Sequence, residues 1–229
     1  MTTTTERLVI GPAEVFQHQL LSTAESEAAA RQLLTPSTTI RERCWHPSPE
    51  LTTIGQPVYR SRGRLTTYAE EAKATNALLY ATYRTLYDRV ADFFEQRYGL
   101  PVDFVDELAI PGFHLMIYPQ RGRLEGGGWH FDQVHQQVPY FAERPDEIEA
   151  IVNFTLPLAV PSGGTGMDIM EPGETQRQVY VAYRPGVVLF NECELFHRIG
   201  ASVCREAGES RLTMQGHGVR FRGRVLLFW

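Results

Sequence analysis

From Pro111 onward the chain changes texture, and that change constrains the fold more than any other feature of the sequence. Short runs rich in apolar, β-branched and aromatic residues follow one another. They are Phe113 to Tyr118, a segment around His130, Ile151 to Leu158, Val179 to Tyr183, Val187 to Phe190, Thr213 to Arg220 and Val225 to Trp229. Turn-forming stretches such as Pro161-Ser162-Gly163-Gly164 separate them, so each run reads as a strand. So many short strands must close on one another to bury their apolar faces and protect their edges. A double-sheet jelly roll of the cupin kind does both.

Ahead of the strands the spacing predicts a long amphipathic helix. Thr67 and Glu70 have the spacing of a capping box, Leu79, Tyr83, Leu86, Val90 and Phe93 recur along one stripe, and Gly99 sits where a left-handed C-cap belongs. A stripe of that length has to be buried, and a sheet face is the natural partner. Pro12 through Leu34 also reads as helix, in one or two pieces, with Ser22 and Glu25 as a second capping box and Thr35-Pro36 as its stop. Residues 36 to 66 show no clear period and are expected to be loop or short strand. Residues 136 to 150 are polar and long enough to form a lid. At 229 residues with 43% hydrophobic side chains, one domain is expected, mostly β with N-terminal helices. Residues 1–112 would supply helical support and substrate-side elements, and 113–229 a jelly-roll core.

The face-by-face arithmetic of a strand then gives the chemistry. In Gly126-Gly127-Gly128-Trp129-His130-Phe131-Asp132-Gln133, a strand over 129 to 133 puts His130 and Asp132 on one face as a pincer for a metal, with Trp129 and Phe131 packing on the other. His197, at the end of Phe190-Asn191-Glu192-Cys193-Glu194-Leu195-Phe196-His197, is the candidate third ligand. Two histidines and a carboxylate on one face of an octahedron leave three positions open, the arrangement of non-haem Fe(II) oxygenases. Zinc hydrolases use the same residue types and keep one position for water. Arg211 separates the two, because a planar guanidinium one strand beyond the ligands suits a dicarboxylate that it can bind bidentately. Thr213 shares the face of Arg211, while Leu212 and Met214 point the other way.

The ordered set His130-Phe131-Asp132, a distal His197 and then Arg211, with Pro185-Gly186-Val187-Val188-Leu189-Phe190 leading into the distal histidine, resembles the iron(II)/2-oxoglutarate-dependent oxygenase family over about residues 113 to 217. The resemblance implies the double-stranded β-helix fold and a requirement for Fe(II), 2-oxoglutarate and O2. It also implies a dioxygenase that couples decarboxylation of 2-oxoglutarate to oxidation of a second molecule. Arg211 and Thr213 are similar to the Arg-x-Ser pair with which some members hold the far carboxylate of 2-oxoglutarate. Tyr118 is expected as a third partner there, and Asn153 as a partner of the near carboxylate. In halogenating relatives a small residue replaces the carboxylate ligand. Asp132 is present here, so hydroxylation is expected instead. The chain also resembles small amino-acid hydroxylases, which implies a small-molecule substrate, an amino acid or derivative. Its carboxylate would be held by Arg60, Arg62 or Arg64, with His135 facing it. Two other readings stand beside this one, a metal-dependent hydrolase on a cupin-like barrel and a non-catalytic barrel that binds a small acid.

The remaining composition narrows the partners. With 22 Lys+Arg against 27 Asp+Glu the chain has no basic excess for wrapping nucleic acid, and the arginines of residues 220 to 224 read as solvated edge-strand charges. Cys44, Cys193 and Cys204 are an odd number without paired spacing, which fits a reducing compartment. Cys193 reads as a small packed cysteine rather than a ligand. His114 and His217 read as core or rim residues, and His18 and His46 fall outside the motifs. No basic start precedes an apolar run, and no segment approaches the roughly 20 apolar residues that span a bilayer. A cytoplasmic protein without membrane contact is expected, of open oligomeric state.

Overall fold

A computed structural model describes residues 5–48, 51–61, 65–173 and 177–229. Its elements are β1 (Thr5–Ile10), β2 (Ala13–Gln19), α1 (Thr23–Leu34), α2 (Thr38–Cys44), β3 (Trp45–Pro47), β4 (Thr52–Ile54), α3 (Leu65–Tyr98), β5 (Val102–Asp103), β6 (Gly112–Ile117), β7 (Gly122–Leu124) and α4 (Pro139–Ala142). There follow β8 (Ile148–Ala159), β9 (Gly166–Met170), β10 (Gln178–Ala182), β11 (Val187–Asn191), β12 (His197–Ile199), β13 (Ser202–Cys204), β14 (Ser210–Phe221) and β15 (Arg224–Phe228). The large sheet runs β1-β2-β11-β8-β14-β6-β4-β3, with β15 joined to β14 and β5 to β15. A smaller sheet, β10-β9-β12, and the pair β13-β7 lie apart from it. The expected mostly-β jelly roll is the fold observed.

Alternation along β14 organises the interior. Leu212 and Met214 join Phe113, Leu115, Phe154, Leu156 and Phe190 on one face of the large sheet, where Leu79, Tyr83, Tyr87, Val90 and Phe94 of α3 bury their stripe. The intervening Arg211, Thr213, Gln215 and His217 therefore take the opposite face, and Gln215 and His217 line a cavity shared with Met167, His197 and Ile199 of the small sheet. Helices thus cover one side of the large sheet and polar side chains occupy the other. In α3 the backbone leaves helical geometry at Tyr83 (φ −116°, ψ 29°), next to Thr82, whose carbonyl accepts a hydrogen bond from the Gln32 amide of α1. A side chain that takes a helical carbonyl is a recognised source of a kink. Gly186 closes the turn into β11 with φ +79°, and a Cβ there would lie 2.3 Å from the Leu21 carbonyl, so glycine is required.

Several expectations are corrected. The helix expected from Pro12 is a strand over Ala13–Gln19, because Ala13, Val15 and Phe16 are buried where β2 pairs with β1 and β11. The helix proper starts after Ser22, where the capping box with Glu25 forms. In α3 the helix already begins at Leu65, so Thr67 lies within its first turn instead of at its N-cap, and its hydroxyl donates to Glu71. Gly99 does cap its far end, φ +64°, its amide donating to Glu95. The 136–150 segment packs rather than hanging free. Val138 and Phe141 are buried against Tyr68, Phe221 and Phe228, and β8 begins at Ile148. Finally, residues 129 to 133 are not a continuous strand: a single bridge at His130 is followed by irregular chain and a 3-10 turn at Val134–Gln136.

Candidate metal centre

That single bridge is nonetheless enough to place two candidate ligands. His130 and His197 exchange backbone hydrogen bonds of 2.9 and 3.0 Å, which sets their rings 4.6 Å apart between centroids. Asp132, two residues on, brings one carboxylate oxygen to 3.7 Å from His130 Nε2 and the other to 3.4 Å from His197 Nε2. One ligand atom from each of the three lies within 4.8 Å of the others. In both histidines Nδ1 donates to a backbone carbonyl two residues earlier, Gly128 at 2.9 Å and Leu195 at 2.9 Å. The proton is thereby fixed on Nδ1 and the lone pair left on Nε2, facing the carboxylate, which is the orientation a metal-binding imidazole requires. Burial lowers the basicity of His197, and the neighbouring Asp132 opposes that shift. Side-chain exposure rises from 8% at His197 through 26% at Asp132 to 50% at His130, so the cluster opens on one side.

Trp129 and Phe131 both pack against Phe196, although Phe131 also lines the cavity that holds the cluster. Their ring centroids lie 5.4 and 4.9 Å from that of Phe196, and Arg198, held by Asp168 at 3.0 Å, lies over Trp129. Gly126 is where this arm meets β12: a Cβ would sit 2.1 Å from the Ile199 carbonyl.

The cluster lies in a cavity of about 470 Å³ whose walls include Tyr59, His114, Asn153, Thr155, Tyr183, Gln215, His217 and Trp229. Arg211, on the same face of β14 as Gln215 and His217, is 2% exposed. It makes no ion pair among the described residues, and its Nε has no hydrogen-bond partner. Thr213, 1% exposed, likewise has a hydroxyl without a partner. A buried guanidinium without a counter-ion is costly and is normally compensated by an anion. Burial and the Arg211 charge together push His114 down to about 3, so that histidine is neutral at ordinary pH, with Nε2 2.7 Å from the Tyr59 hydroxyl.

The other expected site residues fare differently. Tyr118 is buried, but its hydroxyl donates to Ser202 at 2.7 Å, which in turn donates to Thr165. Asn153 lines the cavity with its amide nitrogen directed at Asn191 and the Cys193 carbonyl, both at 3.4 Å, and its oxygen 2.8 Å from His217 Nδ1. Arg60 is not brought to the cavity: it is exposed on a 3-10 turn, Val58–Ser61, which breaks the i, i+2 spacing of a strand, while Pro57, Val58 and Tyr59 line the wall. Arg62 and Arg64 lie outside the described residues. His135, half-buried on its own 3-10 turn, is not a lining residue although Val134 and Gln137 are; burial lowers its basicity and Glu194 opposes that. His217 was missed. Its place six residues after Arg211 on one strand face was the available signal, and the structure puts it on the cavity wall.

No protein-family model and no curated protein sequence matches the chain. Solved structures do. The crystal structure of an N-substituted L-amino acid dioxygenase from Burkholderia ambifaria AMMD superposes with a TM-score of 0.56 at 13% identity, over 94% of this chain and 86% of that one. The same dioxygenase in complex with alpha-KG gives a TM-score of 0.54 at 12% identity, over 94% and 86%. The chain therefore has the jelly-roll fold of these dioxygenase structures, with a His-Asp-His cluster gathered in its cavity.

Proposed function

We propose that the protein is an Fe(II)/2-oxoglutarate-dependent dioxygenase acting on a small molecule. One conjunction carries this reading: a triad whose two Nε2 lone pairs converge on a carboxylate, and behind it a buried Arg211 without a counter-ion. The shared fold supports it, since one of the two similar structures is a complex with alpha-KG. His130, Asp132 and His197 would hold Fe(II), which when bound supplies O2 activation coupled to decarboxylation of 2-oxoglutarate to succinate. Arg211 and Thr213 bind the far carboxylate, the fork bidentately and the hydroxyl as a further donor. Tyr118 acts one step back by orienting Ser202, and Asn153 fixes the His217 ring on the cavity wall. Apolar side chains such as Leu189, Met167 and Ile199 keep water from the cavity floor. The walls complete a site for a small substrate. An amino acid or derivative is the class proposed, supported by the dioxygenase whose fold is shared, and hydroxylation is the outcome that a retained Asp132 favours. A hydrolase or a passive acid-binding barrel has no use for both halves of the site at once.

The test is O2-dependent succinate formation from 2-oxoglutarate with Fe(II), stimulated by members of a panel of free and N-substituted amino acids. Asp132→Ala and His197→Ala are expected to abolish it. Turnover of 2-oxoglutarate at the parent rate in either variant would contradict the proposal.

A further inference from the structure

The carboxylate ligand is the least well anchored of the three. Beyond the His130–His197 bridge the chain leaves the sheet, so no ladder bond fixes residues 131 to 133. The ring stack on Phe196 holds residues 129 and 131. It does not hold the far side of Asp132. There a different contact closes the gap: the Gln133 amide donates to one Glu194 oxygen at 2.7 Å and the Gln136 amide to the other at 3.3 Å. Gln133 directly follows Asp132, and Glu194 stands three residues before His197.

We infer that Glu194 is a positioning residue for the metal site, bracing the Asp132 arm against the His197 segment through Gln133 and Gln136. The inference rests on the metal reading above but adds a residue to it. Glu194 forms no ion pair among the described residues, so attraction to a cation does not explain its orientation. What a carboxylate offers here is two acceptor oxygens, one for each amide, where a glutamine would have one. The two ligand-bearing segments are then tied twice, by backbone at His130 and by side chain beyond Asp132. A loop so clasped gives up less freedom when a metal binds, and supporting contacts of this kind typically change metal affinity about 10–100-fold.

The experiment is a calorimetric and visible-absorption titration with Co(II) of the parent, Glu194→Ala, Asp132→Ala and the double variant, with unfolding midpoints as a control. Glu194→Ala should weaken Co(II) by about 10-fold or more and alter the Co(II) spectrum. In the Asp132→Ala background the same change should have almost no further effect, because Glu194 acts through the ligand already removed. Glu194→Gln, which keeps an acceptor for Gln133, should fall between. Gln133→Ala should reproduce the loss from the other side of the contact, and it stands in should Glu194→Ala not fold. Parent-like affinity in Glu194→Ala with Co(II) bound by the parent, or an equal loss in both backgrounds, would overturn the brace and leave the metal site standing. A parent that does not bind Co(II) would overturn both.

Discussion

Arg211, proposed above to bind the far carboxylate, carries a buried charge that should subtract from stability when no ligand is bound. Its guanidinium is buried without a counter-ion, so Arg211→Ala in the ligand-free protein should leave the thermal midpoint unchanged or raised. A fall would mean that the charge is satisfied inside the protein and has no need of a ligand. For 2-oxoglutarate the sign reverses: removing the partner of a buried charge costs about 3–5 kcal/mol, which is roughly 100-fold or more in affinity. Arg211→Lys should recover only part of that, since a point charge cannot reproduce the fork, and calorimetry on the metal-loaded protein would measure both. His114 makes a pH prediction. Its folded value, about 3, lies below the ordinary 6.5, so the unfolded chain binds the proton first as pH falls. Its contribution is fully present above pH 6.5 and is lost as pH falls towards 3. Each proton taken up corresponds to a slope of about 1.4 kcal/mol per pH unit. His114→Phe, beside Trp229, should flatten the stability profile by up to that slope between pH 6 and 4 in denaturant titrations; an unchanged profile would place the ring in water.

At the level of elements, legibility followed the range of the interactions. The α3 stripe is visible in the sequence because its residues are three and four apart: Leu79, Tyr83, Leu86 and Val90 are indeed buried, while Phe93 is only half-buried and its neighbour Phe94 takes the core position. Phe94→Ala should cost about 3–5 kcal/mol in unfolding free energy without altering metal binding, since Phe94 packs on Phe154 and Phe190 across the sheet from the cavity. By contrast, Ala13–Gln19 reads as helix in isolation and becomes a strand only through β1 and β11, partners that local spacing does not reveal. The same holds for the His130 arm. Alternation correctly put His130 and Asp132 together, yet the segment is one bridge and a turn, stabilised by Phe196 and Glu194. Gly126→Ala, whose Cβ would press on the Ile199 carbonyl, should displace that arm at a cost of about 1–3 kcal/mol and weaken Co(II) about tenfold. Unaltered metal affinity would show that the arm does not depend on this close approach.

Across the whole molecule the triad was legible because an ordered trio of ligand residues survives in the sequence whatever the loops between them do. Glu194 and His217 were not, because their partners come from distant segments that only the closed pair of sheets brings together. The expectation for Arg60 failed for a related reason, because a turn that its spacing does not announce leaves it exposed and off the cavity wall; Arg62 and Arg64 lie outside the described residues. Among the described residues no helix is long and apolar enough to cross a membrane. The central claim, a proposal, is that a metal at His130, Asp132 and His197 and a dicarboxylate at Arg211 bind together. Visible absorption under anaerobic conditions, with Fe(II) and 2-oxoglutarate added to the protein, tests it most directly. A weak visible charge-transfer band, saturating at one equivalent of each and absent from Asp132→Ala, is the predicted result. No band in the parent at saturating Fe(II) and 2-oxoglutarate, or an undiminished band in Asp132→Ala, would contradict it.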